Sequence, residues 1–349
     1  FLLSKSCRFL LTIAVFAKKN LINETNEDFK DPAVVIANHQ SFIDILQLVA
    51  LSPKILLVTN EWVWNSPFFG SIIRYAGFIC INNGYEDSLE YLNGKVKQGY
   101  SIAIFPEGTR SPDGRIKRFH KGAFYFAQQL KLDIIPILLY GNKQIISKKQ
   151  PFNIRKGELY CKIYPRRKQR DISKVTYQEL SKELTQFYRT EYLQVEQRKR
   201  KARNPYYYEN LVQNYIYKGP ITEWYIRVKV KMENYYEAFD QLIPKQGKIT
   251  DIGCGLGPLS YMLSMLSPER EILGIDYDKE KITIAQNGWL RSNNLNFVCA
   301  NAIEYDLPVS DVFILSDMLH YMSIEDQSKL IEKCVDKLHS NGSIIIRDG

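Results

Sequence analysis

Short unbroken apolar runs, each closed by a polar or glycine-containing turn, set the rhythm of this chain. AVVIAN at 33–38, KILLVT at 54–59, FICI at 78–81, SIAIF at 101–105, DIIPILLYG from about Asp133 and ELYCKIY at 158–164 have the length and composition of buried strands. Helical patterns near 66–76 and 121–131 fall between them. A second series begins with KITDIGCG. It continues through EILGID, ending at Asp276, then NFVCANA at 296–302, DVFILSDMLHYM at 311–322 and GSIIIRDG at 342–349. Strands alternating with helices predict an α/β architecture twice over. Between the two series, 175–203 is helical and charged and ends in QRKRKAR, NPYYYEN at 204–210 marks a boundary, and 218–242 reads as a helical lead-in.

The opening, FLLSKSCRFLLTIAVFAKKN, has an apolar run from Phe9 to Ala17 bounded by Arg8 and by Lys18 and Lys19. The run is roughly half of the ~20 residues that a spanning helix needs. It predicts an interfacial amphipathic helix, a signal-like segment or the tail of an upstream membrane helix, with a core helix as the alternative. The expected organisation is therefore a membrane-interface segment at 1–25, an α/β domain at 26–175, a helical basic linker at 176–217 and a second α/β domain at 218–349.

Charge sharpens this division. The 349 residues carry a net charge of +9, but residues 1–203 hold 33 Lys+Arg against 18 Asp+Glu, and residues 204–349 hold 14 against 20. A basic front half fits anionic lipid headgroups, phosphorylated substrates or nucleic acid equally. Only for the QRKRKAR run is a solvated face or linker read first, lipid contact second and nucleic acid last. Cys7, Cys80, Cys161, Cys254, Cys299 and Cys334 form no C-x-x-C pair and have no histidine at zinc spacing, so no metal site and no disulfide framework is expected.

Two segments of the front half carry chemistry. NHQSFID, Asn38 to Asp44, places His39 just after a predicted strand and Asp44 five residues on. A neutral imidazole suits proton abstraction near pH 7, and a carboxylate that turns back onto it can fix one tautomer. The arrangement resembles the His–Asp part of a serine-hydrolase triad, with a substrate hydroxyl in place of the serine. No G-x-S-x-G elbow occurs. On its own the pair reads first as a hydrogen-bonded structural contact and only second as a catalytic one. FPEGTRS, Phe105 to Ser111, adds a tight turn at Gly108 and the donor fork of Arg110, suited to a phosphate.

Together the two segments resemble the glycerophospholipid acyltransferase family, whose best-known members acylate 1-acylglycerol-3-phosphate. The resemblance covers about residues 30–165, with further matches at Pro67, Gly70, Lys121, Gly122 and Pro136. It implies that His39 is the base and Asp44 its orienting partner. Glu107, Gly108, Thr109 and Arg110 would form the acceptor-binding loop, and an acyl-CoA or acyl carrier protein thioester would be the donor. The family's second block usually ends its strand with an acidic residue and an arginine. Here Asn82 and Asn83 stand in GFICINNG, which leaves the acceptor open and makes Arg74 or a nearby lysine a candidate substitute.

In the back half, ITDIGCGLGPLSYML places Asp251, Gly253, Gly255 and Gly257 at a strand-to-helix turn, and Asp276 ends the next strand. Glycines there let a ligand approach the backbone, and the second carboxylate can accept ribose hydroxyls. The succession resembles the class I methyltransferases over about residues 218–349. That implies a Rossmann-like domain, C-terminally truncated, with S-adenosyl-L-methionine held by the three glycines and Asp276. Asn301 sits where an Asp often meets the adenine amine, and His320 lies on the acceptor side.

The domain order also resembles the tail of trifunctional bacterial fusions, in which a lipid-exporter-type membrane protein precedes an acyltransferase and a methyltransferase and which are associated with aryl polyene or flexirubin-type pigment lipids. That resemblance implies a longer polypeptide at the cytoplasmic face of the inner membrane, peripheral or tethered. The expected activity is O-acyl transfer to a lysophospholipid-like hydroxyl, with methyl transfer in the second domain. Thioester hydrolysis and a non-catalytic membrane scaffold are the alternatives.

Overall fold

The computed structural model describes residues 2–13, 17–59, 64–65, 70–75, 77–80, 85–111, 114–146, 154–233 and 235–348. The chain divides into two units, Phe1–Arg198 and Lys199–Gly349.

The first unit is built on a seven-stranded sheet. Its strands are β1 (Ala17–Asn23), β2 (Ala33–Ala37), β3 (Ile55–Thr59), β4 (Ile79–Cys80), β5 (Ser101–Ile104), β6 (Asp133–Tyr140) and β7 (Gly157–Ile163). Across the sheet the order is β1-β7-β6-β2-β5-β3-β4. β6, β2, β5, β3 and β4 run parallel, β7 is antiparallel to β6, and β1 is parallel to β7. Alternate residues of a strand face opposite sides of a sheet. Val34 and Ile36 accordingly join one apolar core with Ile102, Ile134 and Leu138, while Ala33, Val35 and Ala37 join another with Leu48, Ile135 and Ile137. Both faces are covered, which is why these strands read as continuous apolar runs.

Two segments outside the α/β cores take defined places here. The segment 1–25 contributes the helix Leu2–Ile13 and β1, which pairs with β7 over seven residues. Ser4 and Cys7 turn inward, Phe9 and Leu10 stay exposed, and Arg8 donates to the carbonyls of Ala50 and Leu51 at the end of the helix Ile43–Leu51. Among the described residues no helix is long and apolar enough to cross a membrane.

The stretch 176–217 is not a free linker but is built into both units. The helix Tyr177–Lys199 buries Leu180, Leu184, Tyr188, Tyr192 and Val195 in the first core. That stripe recurs every three or four residues and is hidden among charges. The helix Pro205–Gln213 and Tyr215 pack into the core of the second unit instead.

The second unit has five strands: β8 (Gly247–Ile252), β9 (Arg270–Asp276), β10 (Leu295–Cys299), β11 (Ser310–Ser316) and β12 (Leu338–Arg347). All pairings are parallel, in the order β10-β9-β8-β11-β12. The chain reverses direction of travel between β8 and β11. Ligands of open α/β sheets bind at the carboxyl edge beside such a switch.

Candidate functional site

Asn38 follows the last residue of β2, and its buried amide both donates to the Leu139 carbonyl and accepts from the Leu139 N–H. The side chain therefore takes the place of a strand partner between β2 and β6. One turn lower, the Tyr188 hydroxyl accepts from Ile137 N–H at 2.9 Å and donates to the Ile36 carbonyl at 2.6 Å. Two side chains thus bridge the carboxyl ends of these neighbouring strands where a direct ladder bond would run, and the next residue of the chain is His39.

His39 Nδ1 lies 2.9 Å from Asp44 Oδ2, and its ring stacks on Phe105 with centroids 4.1 Å apart. Asp44 sits in the first turn of the helix Ile43–Leu51 and is fully buried. Its Oδ2 also accepts from the amides of Gln40 at 2.6 Å and Ser41 at 2.8 Å, and its Oδ1 accepts from Asn142 Nδ2 at 2.5 Å. A carboxylate facing Nδ1 requires the proton on that nitrogen, which leaves Nε2 as the basic atom.

The second segment closes against the first. Ser111 N–H donates to the His39 carbonyl at 2.9 Å, and His39 N–H donates to Glu107 Oε1 at 2.8 Å. Glu107 Oε2 accepts from Lys117 N–H at 3.0 Å. Glu107 is 2% exposed. Burial pushes its carboxyl up to about 7, against the pull of the two amides. This residue was expected in an acceptor-binding loop. Its carboxyl group ties the His39 turn to the irregular stretch that follows the loop, inside the protein. Gly108 takes φ +67 with the His120 ring where a Cβ would point, Thr109 is exposed and Arg110 half-buried. Arg115, Arg118 and Lys121 are exposed on the following stretch. Arg74 donates to the Trp64 carbonyl at 2.8 Å, while Asn82, Asn83 and Pro67 lie outside the described residues.

In the second unit Gly253, Gly255 and Gly257 form the turn between β8 and the helix Pro258–Leu266. A Cβ on Gly253 would meet Met318, and one on Gly257 the Phe297 ring. One on Gly255 finds only Lys281 Cδ at 3.9 Å, so that is the open side of the cradle. Asp276 closes β9, with Oδ2 accepting from Gly255 N–H at 2.8 Å and Oδ1 from Asp278 N–H at 2.9 Å. Asn301 Oδ1 accepts from Ile303 N–H at 3.1 Å. At the carboxyl edge, His320 Nδ1 is 2.5 Å from Asp348 Oδ1. An open glycine turn beside a strand-ending carboxylate fits a nucleoside cofactor.

Asp251 lies deeper. It is 2% exposed, and burial pushes its carboxyl up to about 7, with the Ser260 hydroxyl opposing and the Asp276 charge adding. An acid with a raised folded-state pKa contributes stability that is fully present below its ordinary value and lost as pH rises through 7. Protection of the β8 amides in hydrogen exchange is therefore expected to weaken by about 2–3 kcal/mol from pH 5 to pH 8. Asp251→Asn should flatten that slope.

These two centres match known families separately. The family described as Acyltransferase matches residues 15–140, and the family described as Methyltransferase domain matches residues 249–342. The chain carries an acyltransferase domain followed by a methyltransferase domain.

A chloroplastic 1-acyl-sn-glycerol-3-phosphate acyltransferase of Arabidopsis thaliana is 33% identical over 141 residues, which is 39% of this chain and 40% of that protein. The chain thus spans about two fifths of the length of that relative. Among solved structures, the 1-acyl-sn-glycerophosphate acyltransferase of Thermotoga maritima aligns with TM-score 0.48 and 22% identity, over 55% of this chain and 78% of that one. Human N-acetylserotonin methyltransferase, solved with S-adenosylmethionine, aligns with TM-score 0.32 and 19% identity over 38% of this chain and 39% of that one.

The acyltransferase match ends before Asn142, Tyr188 and Tyr192, which the structure brings to the His39 turn and which the sequence did not single out. Tyr192 hydroxyl reaches Gln40 Oε1 at 3.1 Å. The only sequence signal for Asn142 is its place directly after a buried strand and a glycine. Among the described residues no group of His, Cys, Asp and Glu could hold a metal ion.

Proposed function

We propose that the acyltransferase domain moves an acyl group from a thioester, acyl-CoA or acyl carrier protein, to the hydroxyl of a lysophospholipid-like acceptor. The observation that carries this reading is the meeting of His39, held by Asp44 at 2.9 Å, with the Gly108–Arg110 turn through the Ser111–His39 backbone bond. The acceptor hydroxyl gives its proton to His39 Nε2 as its oxygen attacks the thioester carbonyl. The tetrahedral intermediate then expels the thiolate, which takes the proton back from the imidazolium. Asp44 steadies that imidazolium, and no acyl-enzyme forms. Thr109, Arg110 and the exposed Arg115, Arg118 and Lys121 form a cationic flank suited to an acceptor phosphate. Exposed Phe9, Leu10 and Leu21 beside Lys5, Lys18 and Lys19 support work at an anionic lipid surface, the inner face of a bacterial membrane in this reading.

The methyltransferase domain is assigned S-adenosyl-L-methionine, which supplies an electrophilic methyl group when bound. Gly253, Gly255 and Gly257 would receive its methionine part, Asp276 the ribose and Asn301 the adenine. Asp251 supports the turn from beneath through Ser260 at 2.5 Å.

The test uses radiolabelled oleoyl-CoA with 1-oleoyl lysophosphatidic acid or 1-oleoyl lysophosphatidylethanolamine in vesicles. Labelled diacyl phospholipid from either acceptor is expected. Label released only as free fatty acid would replace the proposal by thioester hydrolysis. In parallel, calorimetry should find S-adenosyl-L-methionine bound, with Asp276→Ala weakening it about 10- to 100-fold. Binding indifferent to Asp276→Ala would remove the cofactor site.

A further inference from the structure

We propose that Asn142 is a third member of the proton-transfer group, a positioning residue that holds Asp44 so that its Oδ2 faces the His39 ring. This rests on the acyl-transfer reading above.

The placement begins with β6, a strand buried along nearly its whole length. Gly141 follows at φ +87, and a Cβ there would stand 1.9 Å from the Glu158 carbonyl of β7. Only glycine permits so close a pass in that conformation. The turn it makes sets Asn142 at the start of the single helical turn Asn142–Ile145, beside the helix that carries Asp44.

Asn142 is fully buried, and its Nδ2 lies 2.5 Å from Asp44 Oδ1 and 2.5 Å from Gln47 Oε1. Both neighbours are oxygen acceptors, so only the amide nitrogen, and not the amide oxygen, fits between them. The Asn142 Oδ1 itself makes no hydrogen bond in the structure. A buried acceptor left in that state costs stability, and native proteins keep few of them. The orientation is therefore imposed from the Nδ2 side, by the carboxylate it serves.

The division of labour on Asp44 gives the bond its role. Oδ2 accepts from His39 Nδ1 and from the amides of Gln40 and Ser41, whereas Oδ1 accepts from Asn142. Removing that donor strips one carboxylate oxygen of its buried partner and frees the group to turn about its last bond. It also makes Asp44 a stronger acceptor toward the ring, which raises the basicity of His39. Among the described residues, the titratable group hydrogen-bonded to the His39–Asp44 pair is Glu107, whose Oε1 accepts from His39 N–H. Gln47 holds the other side of Asn142 and touches neither Asp44 nor His39 through any bond seen here.

The experiment compares wild type, Asn142→Leu, Asn142→Asp and Gln47→Leu in the full chain. Acyl transfer from oleoyl-CoA to 1-oleoyl lysophosphatidic acid is followed across pH 5–9. The His39 ring is titrated by carbon-13 NMR without substrate. Asn142→Leu is expected to lower kcat about 10- to 100-fold with KM unchanged, the size of one charge-assisted hydrogen bond. The acid limb of kcat/KM and the ring titration should both move to higher pH. Gln47→Leu should leave both in place. If Asn142→Leu does not fold, the volume-matched Asn142→Asp sets a second carboxyl against Asp44 and must move the titration further in the same direction.

An unmoved ring titration in the folded Asn142 variant, or equal losses in the Asn142 and Gln47 variants, overturns the proposal. Should wild type transfer no acyl group, the acyl-transfer reading fails. The ring titration still decides whether Asn142 governs the pair.

Discussion

Asp44→Asn is expected to lower kcat for acyl transfer by about 10³- to 10⁴-fold, with little change in KM or in the folded structure. The substitution keeps the volume of a fully buried side chain and changes only charge and hydrogen-bond direction. As a carboxylate, Asp44 accepts from His39 Nδ1, Gln40 N–H, Ser41 N–H and Asn142 Nδ2. An amide can serve the three donors on the Oδ2 side only by turning its own NH₂ toward Asn142. Turned the other way, it presents N–H groups to three donors and drives the imidazole into the wrong tautomer. In either orientation the negative charge that steadies the imidazolium is gone, and no rearrangement of Asn142 or Gln47 restores it. Steady-state kinetics with circular dichroism as a folding control checks this. A loss under about tenfold would mean that the pair is structural.

Arg270→Ala carries the largest expected cost in stability, about 3–5 kcal/mol for the methyltransferase unit. Arg270 is entirely buried at the start of β9. Its Nη1 donates to Asp240 Oδ1 at 2.8 Å and to the Leu263 carbonyl at 3.2 Å. Its Nε reaches the Pro244 carbonyl at 2.8 Å, and its Nη2 reaches the carbonyls of Ile243 at 2.8 Å and Asp240 at 3.2 Å. One planar group therefore ties the end of the helix Tyr236–Leu242 and the two residues after it to the helix Pro258–Leu266. Truncation would take this donor from the Ile243 and Pro244 carbonyls and cut a buried ion pair, while the Leu263 carbonyl keeps Ser267 N–H at 3.0 Å and Asp240 keeps Lys245 at 2.6 Å. Arg270→Lys should recover little of the loss, since an ammonium cannot spread five donors over that fan. Hydrogen exchange in β8 and β9 is the measurement, and protection unchanged by Arg270→Ala would contradict the assignment.

These residues also show where the sequence was readable. β2, β5 and β6 announced themselves because strands covered on both faces are largely apolar, and β8 because the glycine turn after it cuts it cleanly. β1 did not, because AKKNLIN is an edge strand whose lysines face outward, and its apolar residues merged with the helix before it. The helix Tyr177–Lys199 read as a charged linker because its buried stripe takes only every third or fourth position.

At the site, His39, Asp44 and the Gly108–Arg110 turn were legible as rare residue types in a tight pattern. Glu107 was legible as a member of the motif but not in its role, since only the fold shows that its carboxyl group faces two backbone amides. Asn142 and Arg270 were not legible. Each is an ordinary polar residue whose weight comes from being buried against particular acceptors, and no local spacing encodes that.

The base itself is the most direct test. Purified wild type and His39→Ala are to be assayed side by side for labelled phosphatidic acid from oleoyl-CoA and 1-oleoyl lysophosphatidic acid. The account predicts product from wild type and a loss of at least about 10³-fold in His39→Ala, with the variant folded and its methyltransferase unit still binding S-adenosyl-L-methionine. Undiminished transfer by folded His39→Ala would contradict it.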